Sequence, residues 1–246
     1  MLDSLIIDCW NNGYSHTIYM GIQILAFFIQ FLSLILYRKA YGFSLKKALL
    51  TYVVTYPFLF FSIYLITWIE NGFTNWGANN IVRAYMWAPF LLIPFAKLLK
   101  IPYGKICDYF APSFALAFAV GHIGCIFDGC CHGYPSTWGI YNPMLHETTF
   151  PIQLIECLGA FLVWGFLLFY AKKKNYECRG KVLAMFLILF GGGRFICEFF
   201  RYNDKLFWRI SELAIWAFLA LITGIVMMII VSRPPKDTQN TLLQKD

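Results

Sequence analysis

Apolar runs of about 20 residues recur along the chain, at roughly 17–37, 48–69, 81–99, 109–127, 151–171, 181–200 and 211–232. A run of that length matches the thickness of a bilayer's hydrocarbon core, where no water is present to pair with backbone N–H and C=O groups. Each run is therefore predicted to be a helix that satisfies those groups internally. Composition agrees: 59% of the 246 residues are hydrophobic and only 13% charged, with a mean hydropathy of +0.61. The expected fold is an all-α integral membrane protein with about seven transmembrane helices. Residues 1–232 form a single membrane domain in this reading, and 233–246 a polar tail. The first run has no basic stretch before it and no small-residue cleavage site after it, so it is expected to stay in the mature protein. Pro57, Pro89 and Pro94 fall inside the second and third runs and predict kinks there.

Charge then sets the orientation. Fifteen of the 20 basic residues lie after the first, third, fifth and seventh runs, in clusters such as Arg38, Lys39, Lys46 and Lys47, or Lys172 to Lys174 with Arg179 and Lys181. By the positive-inside rule that side is cytoplasmic, which puts the N-terminus outside and the C-terminus, with its tail, inside. Asp128, Glu147, Glu156, Glu198 and Glu212 fall toward the outer half. A net charge of +7 distributed in this way is a topology signal, and no nucleic-acid partner is expected.

Titratable residues inside a span are costly and mark candidate sites. Three groups qualify, all at predicted outer helix ends. The first runs from Gly121 through His122, Gly124, Cys125, Asp128, Cys130, Cys131 and His132 to Gly133. The second is Pro151-Ile152-Gln153-Leu154-Ile155-Glu156, and the third is the Gly191-Gly192-Gly193 run followed by Arg194, Glu198, Arg201, Asn203 and Asp204. Positions 194, 198 and 201 are spaced i, i+4 and i+7, so two cations and one carboxylate share a helix face. Such a wall suits a phosphate that arginine can grip bidentately. Arg201 has an alternative use, reaching out to headgroups from a helix end. The triple glycine allows close approach of either a ligand or another helix. Cys125, Cys130, Cys131 and His132 combine thiols with an imidazole, but no second C-x2-C pair accompanies them; a disulfide and plain helix packing compete with a metal. No metal and no cofactor is assigned.

In order and spacing, these groups resemble the phosphatidylglycerol:prolipoprotein diacylglyceryl transferase family of bacterial inner membranes. Gly121 to Gly133 corresponds to a Gly-Arg-x-Gly-Asn-type signature, Phe150 to Glu156 to a His-Pro-x-Gln-Leu-x-Glu segment, and Arg194, Glu198 and Arg201 to an Arg-x-x-x-Glu-x-x-Arg helix. His122 stands at the signature arginine, Cys125 at its asparagine and Phe150 at the histidine before the proline. Tyr85-Met86-Trp87-Ala88-Pro89-Phe90 occupies the region of the family's His-Gly-Gly segment, so the resemblance is to a divergent member.

The resemblance implies transfer of a diacylglyceryl group from phosphatidylglycerol, or a related anionic phospholipid, to the lipobox cysteine in the signal region of a secreted prolipoprotein. It also implies a multi-pass protein of the bacterial cytoplasmic membrane. His122, Arg194, Glu198 and Arg201 would then be catalytic, and Gly121, Gly124, Asp128, Gln153 and Glu156 would bind substrate. His122 is the leading base, ahead of His132 and His146. Rival readings are a paralogue that passes the lipid-derived group to another acceptor and a non-catalytic phospholipid-binding or transport protein.

The orientation is directly testable. On intact cells, in a cysteine-free background, a membrane-impermeant thiol reagent should label a cysteine placed at Thr148 and miss one placed at Lys173; the opposite pattern inverts the topology.

Overall fold

A computed structural model describes residues 1–70, 72–74, 81–203 and 210–233. All seven apolar runs lie in helices: α2 (Ser15–Tyr37), α3 (Leu45–Glu70), α4 (Ile81–Leu98), α5 (Tyr103–Asp128), α6 (Ile152–Lys173), α7 (Lys181–Glu198) and α8 (Glu212–Ser232). Among the described residues α2, α5, α6 and α8 are long and apolar enough to cross a membrane. Pro57 lies within α3, and Pro89 and Pro94 within α4. The tail beyond 233 and Asp204 lie outside the described residues.

Two features depart from the all-helical expectation. A short helix, α1 (Leu2–Asn11), precedes the first apolar run, and the loop expected between α5 and α6 contains an antiparallel pair, β1 (Pro135–Asn142) and β2 (Glu147–Thr149). Asn142 makes the turn. Its Oδ1 accepts from Met144 N and Leu145 N, and its Nδ2 donates to Gly129 O at 2.8 Å. Ile6 of α1 packs with Ile126 and Ile140, which seats this cap on the C-terminal end of α5.

Helix α5 is the axis of the bundle and packs against α1, α2, α4, α6 and α7. Its most apolar stretch is 89% buried, against 22% for α2 and α8, whose exposed leucines, isoleucines and phenylalanines suit a lipid surface. Lipid is as apolar as leucine, so helices associate in it through close backbone approach rather than through a hydrophobic drive. Ala111, Ala115 and Ala119 accordingly form a fully buried stripe at i+4 spacing along α5. The α7–α8 contact uses the same device: a Cβ at Gly191 would lie 2.7 Å from Leu221 N, and one at Gly224 would lie 2.8 Å from Ile188 N. The first glycine of the triple run is thus a helix-packing residue.

The polar groups of Asp108 on α5 find partners across the bundle. Pro112 has no N–H to offer the carbonyl of Asp108, and the Tyr41 hydroxyl donates to that oxygen at 2.8 Å instead. The fully buried Asp108 carboxylate accepts from Gly180 N at 2.7 Å, Val182 N at 2.8 Å and Leu183 N at 3.4 Å. Those are N–H groups that the start of α7 leaves without intrahelical partners, so α5 caps α7 across the bundle. Gly104 lets the two backbones meet, since a Cβ there would lie 2.4 Å from the Arg179 carbonyl carbon.

Asp108→Ala should therefore destabilise the protein by about 1–3 kcal/mol by stranding buried donors, with Asp108→Asn intermediate because one acceptor oxygen survives. Melting in a single detergent measures this, and equal melting of all three proteins would remove the cap from the account.

Candidate active site

The three polar groups converge at the C-terminal end of α5. Glu156, one turn into α6, places its carboxylate between two guanidinium groups: Arg194 Nη1 donates to Oε1 and Arg201 Nη2 to Oε2. Arg194 Nη2 also pairs with Glu198 Oε1 at 2.6 Å, and Arg201 Nε lies 3.6 Å from the same oxygen. His122 Nε2 sits 3.0 Å from Glu156 Oε2 and 3.0 Å from Arg201 Nη2, with its ring stacked on Phe118. All five side chains are buried: His122 is 7% exposed, Glu156 6%, Arg194 5%, Arg201 3% and Glu198 0%.

Arg194 and Glu198 share a face of α7 as expected, but the helix ends at Glu198, so Arg201 joins them from the segment that follows rather than from the same helix, and the charge balance also differs from the sequence expectation. Two arginines against Glu198 alone would leave a cation over, and Glu156 supplies the second carboxylate. With His122 neutral the cluster is neutral. Arg201 turns inward onto Glu156 rather than outward to headgroups. In a low-dielectric interior each charge is stabilised only while its partners remain.

Local structure aims these groups. Arg201 follows α7 on a segment that the chain after α5 ties down by backbone bonds, Tyr134 N to Phe200 O at 3.2 Å and Tyr202 N to His132 O at 3.1 Å. Gly133 permits the approach: a Cβ there would lie 2.5 Å from Phe150 O. Asn203 Nδ2 and Ser211 Oγ each donate to Glu198 Oε2 at 2.7 Å, and Ser211 also caps α8 by accepting from Ala214 N. A serine directly before a long apolar run is a readable N-cap; its second bond to Glu198 is not readable from sequence.

The remaining candidates separate. Gln153 lies at the site, donating to Cys130 O at 3.1 Å with its Oε1 buried and lacking a hydrogen-bond partner among the described residues. Gly121 and Gly124 face α2, where their Cβ positions would meet Gln23 Oε1 at 3.0 Å and Tyr19 Cδ2 at 3.2 Å. Asp128 pairs with the exposed His16 at 3.2 Å. His132 stacks on Tyr202, and His146 lies 3.4 Å from the Tyr141 hydroxyl. All eight cysteines are free thiols.

A family model described as prolipoprotein diacylglyceryl transferase matches residues 23–230, which include every member of the buried cluster. The chain belongs to the prolipoprotein diacylglyceryl transferase family. Similar relatives include a phosphatidylglycerol--prolipoprotein diacylglyceryl transferase of Clostridium tetani, 34% identical over 168 residues covering 64% of this chain and 62% of the relative. One of Aliarcobacter butzleri is 26% identical over 184 residues, covering 73% and 63%, and a second clostridial form, from Clostridium perfringens, is 36% identical over 107 residues, covering 41% of each. The chain thus aligns with less than two thirds of the length of these diacylglyceryl transferases.

The cluster predicts a charge-balance effect on stability. Glu156→Gln strands a buried cation and should destabilise the fold by about 3–5 kcal/mol, whereas Glu156→Gln combined with Arg201→Gln restores neutrality. Melting of the single and double variants should therefore show a double loss well below the sum of the singles; additive losses would mean that the two side chains do not act as a pair.

Proposed function

We propose that the chain transfers a diacylglyceryl group from phosphatidylglycerol to the thiol of a prolipoprotein's lipobox cysteine. It does so as a seven-span, N-out protein of the bacterial cytoplasmic membrane, with the reaction at the outer face. Family membership supports the chemistry. The observation that carries it is the buried Arg194–Glu156–Arg201–Glu198 network with His122 against it.

The incoming thiol attacks an sp3 glyceryl carbon of the lipid. A C–S bond forms, the C–O bond to phosphate breaks, and glycerol phosphate leaves with the electron pair. Two demands follow: the thiol must lose its proton, because the thiolate is the nucleophile, and charge on the departing phosphate must be stabilised. His122 meets the first. Glu156 Oε2 accepts its Nε2–H, which orients the ring and leaves the other nitrogen's lone pair for the proton.

Arg194 and Arg201 meet the second demand. Arg194 Nε is a buried donor with no hydrogen-bond partner among the described residues, so the guanidinium has an N–H to offer a phosphate oxygen without releasing either carboxylate. Glu198 and Glu156 hold the two forks in place, and Gln153 lines the same region through its buried Oε1.

The test uses purified protein reconstituted with phosphatidylglycerol and a lipobox peptide. Arg194→Lys keeps the charge but loses the fork, and should lower turnover about 10²-fold while melting stays close to wild type; Arg194→Gln should abolish turnover. His122→Gln should lower it about 10²–10⁴-fold without unfolding the protein. Unchanged turnover in the lysine variant would sink the phosphate clamp. Lipid consumption that ignores the peptide would point to a different acceptor.

A further inference from the structure

The transfer reaction leaves Cys125 and Cys131 unexplained, and the fold gathers them against His122. His122 and Cys125 lie one turn apart on α5. The helix ends at Gly129, in the left-handed region at φ 72°, and Cys131 follows in the same region at φ 60°. A non-glycine residue held there is strained by roughly 1–3 kcal/mol, and such strain persists only where the surroundings require it. The result is compact: the Sγ atoms of Cys125 and Cys131 and a ring nitrogen of His122 all lie within 4.8 Å of one another. Cys130, the chain neighbour of Cys131, lies outside that group.

We propose that His122, Cys125 and Cys131 form a binding site for one thiophilic divalent metal ion of the zinc class, with the fourth position of the tetrahedron left to an exogenous ligand. Zinc takes thiolate at about 2.3 Å and imidazole at about 2.0–2.1 Å in a tetrahedron, which places neighbouring donors about 3.5–3.8 Å apart; the thiols and imidazole need only a small contraction to reach that spacing. The surroundings complete the case. Glu156, 3.0 Å from His122 Nε2, is the carboxylate that commonly orients a ligating histidine. Arg201, whose Nη2 lies 3.0 Å from His122 Nε2, puts a cation beside the two thiols, which suits sulfurs that become thiolates on binding. Each thiol gives up its proton to the medium as the ion binds. The sequence motif alone pointed to His132 as the imidazole, but that ring stacks on Tyr202 and the fold presents His122.

Full-length protein in detergent, reduced and stripped of metal, is titrated with Co2+ and followed by thiolate-to-cobalt absorption, then back-titrated with Zn2+. One Co2+ per chain, displaced by one Zn2+, is expected. Cys131→Ser, at an exposed turn, and Cys125→Ser should each weaken binding by about 10²-fold or more, while Cys9→Ser and Cys157→Ser bind as wild type. Melting without metal separates folding from binding for each variant. Absence of thiolate absorption in the reduced protein overturns the proposal, as does absorption that survives in the Cys125→Ser/Cys131→Ser double variant. So does recovery of a Cys125–Cys131 disulfide that binds no ion once reduced. A bound ion takes the His122 ring nitrogen that the transfer reaction gives to the proton, so zinc-loaded protein should turn over more slowly than stripped protein. The readout is metal binding, so failure here leaves the transferase reading intact.

Discussion

Glu156 is the point at which the buried charges close on one another. Its two oxygens serve Arg194 on one side and Arg201 with His122 on the other, while Glu198 takes the second face of Arg194. Taking four charges out of water carries a desolvation penalty of several kcal/mol per ion, offset only when each charge keeps its partners and hydrogen bonds. Three helices and the segment after α7 must therefore meet with their polar atoms in register. The small-residue stripe on α5 and the glycine contact between α7 and α8 allow that approach.

Helix α7 is held at both ends by charge placed on other elements. At its start, Asp108 of α5 takes backbone N–H groups of Gly180, Val182 and Leu183; near its end, Glu156 of α6 takes Arg194, and Ser211 before α8 takes Glu198. A helix pinned in this way neither slides nor rotates without exposing an unpaired charge or donor. That rigidity suits the proposed reaction, in which a fork of N–H groups would meet a phosphate while a base would meet a thiol.

The departures from the family signature acquire a physical reading in this frame. An arginine at position 122 would bring a third permanent cation against two carboxylates, whereas an imidazole carries no permanent charge. Cys125, at the signature's asparagine, exchanges a hydrogen-bonding amide for a thiol, and it stands in the cluster with Cys131 and His122. The two substitutions lie one turn apart and change the chemistry of the same spot in the same direction, toward soft ligands and a titratable ring.

The membrane class of the fold, the positions of its long helices and the shared face of Arg194 and Glu198 were legible in the sequence. Each is a matter of local periodicity and of the cost of leaving a backbone or a charge in lipid. The cap on the C-terminal end of α5 was not legible: α1 and the hairpin are short, and their stability comes from contacts between Ile6, Ile126 and Ile140, which are far apart in the chain. Glu156 as the centre of the network, Gly121 and Gly124 as packing residues for α2, and Ser211 as a ligand of Glu198 were likewise decided by the tertiary structure. Sequence spacing determines which residues share a helix face, because a helix repeats every 3.6 residues; which faces meet depends on how separate helices pack, and only there do two arginines find their second carboxylate.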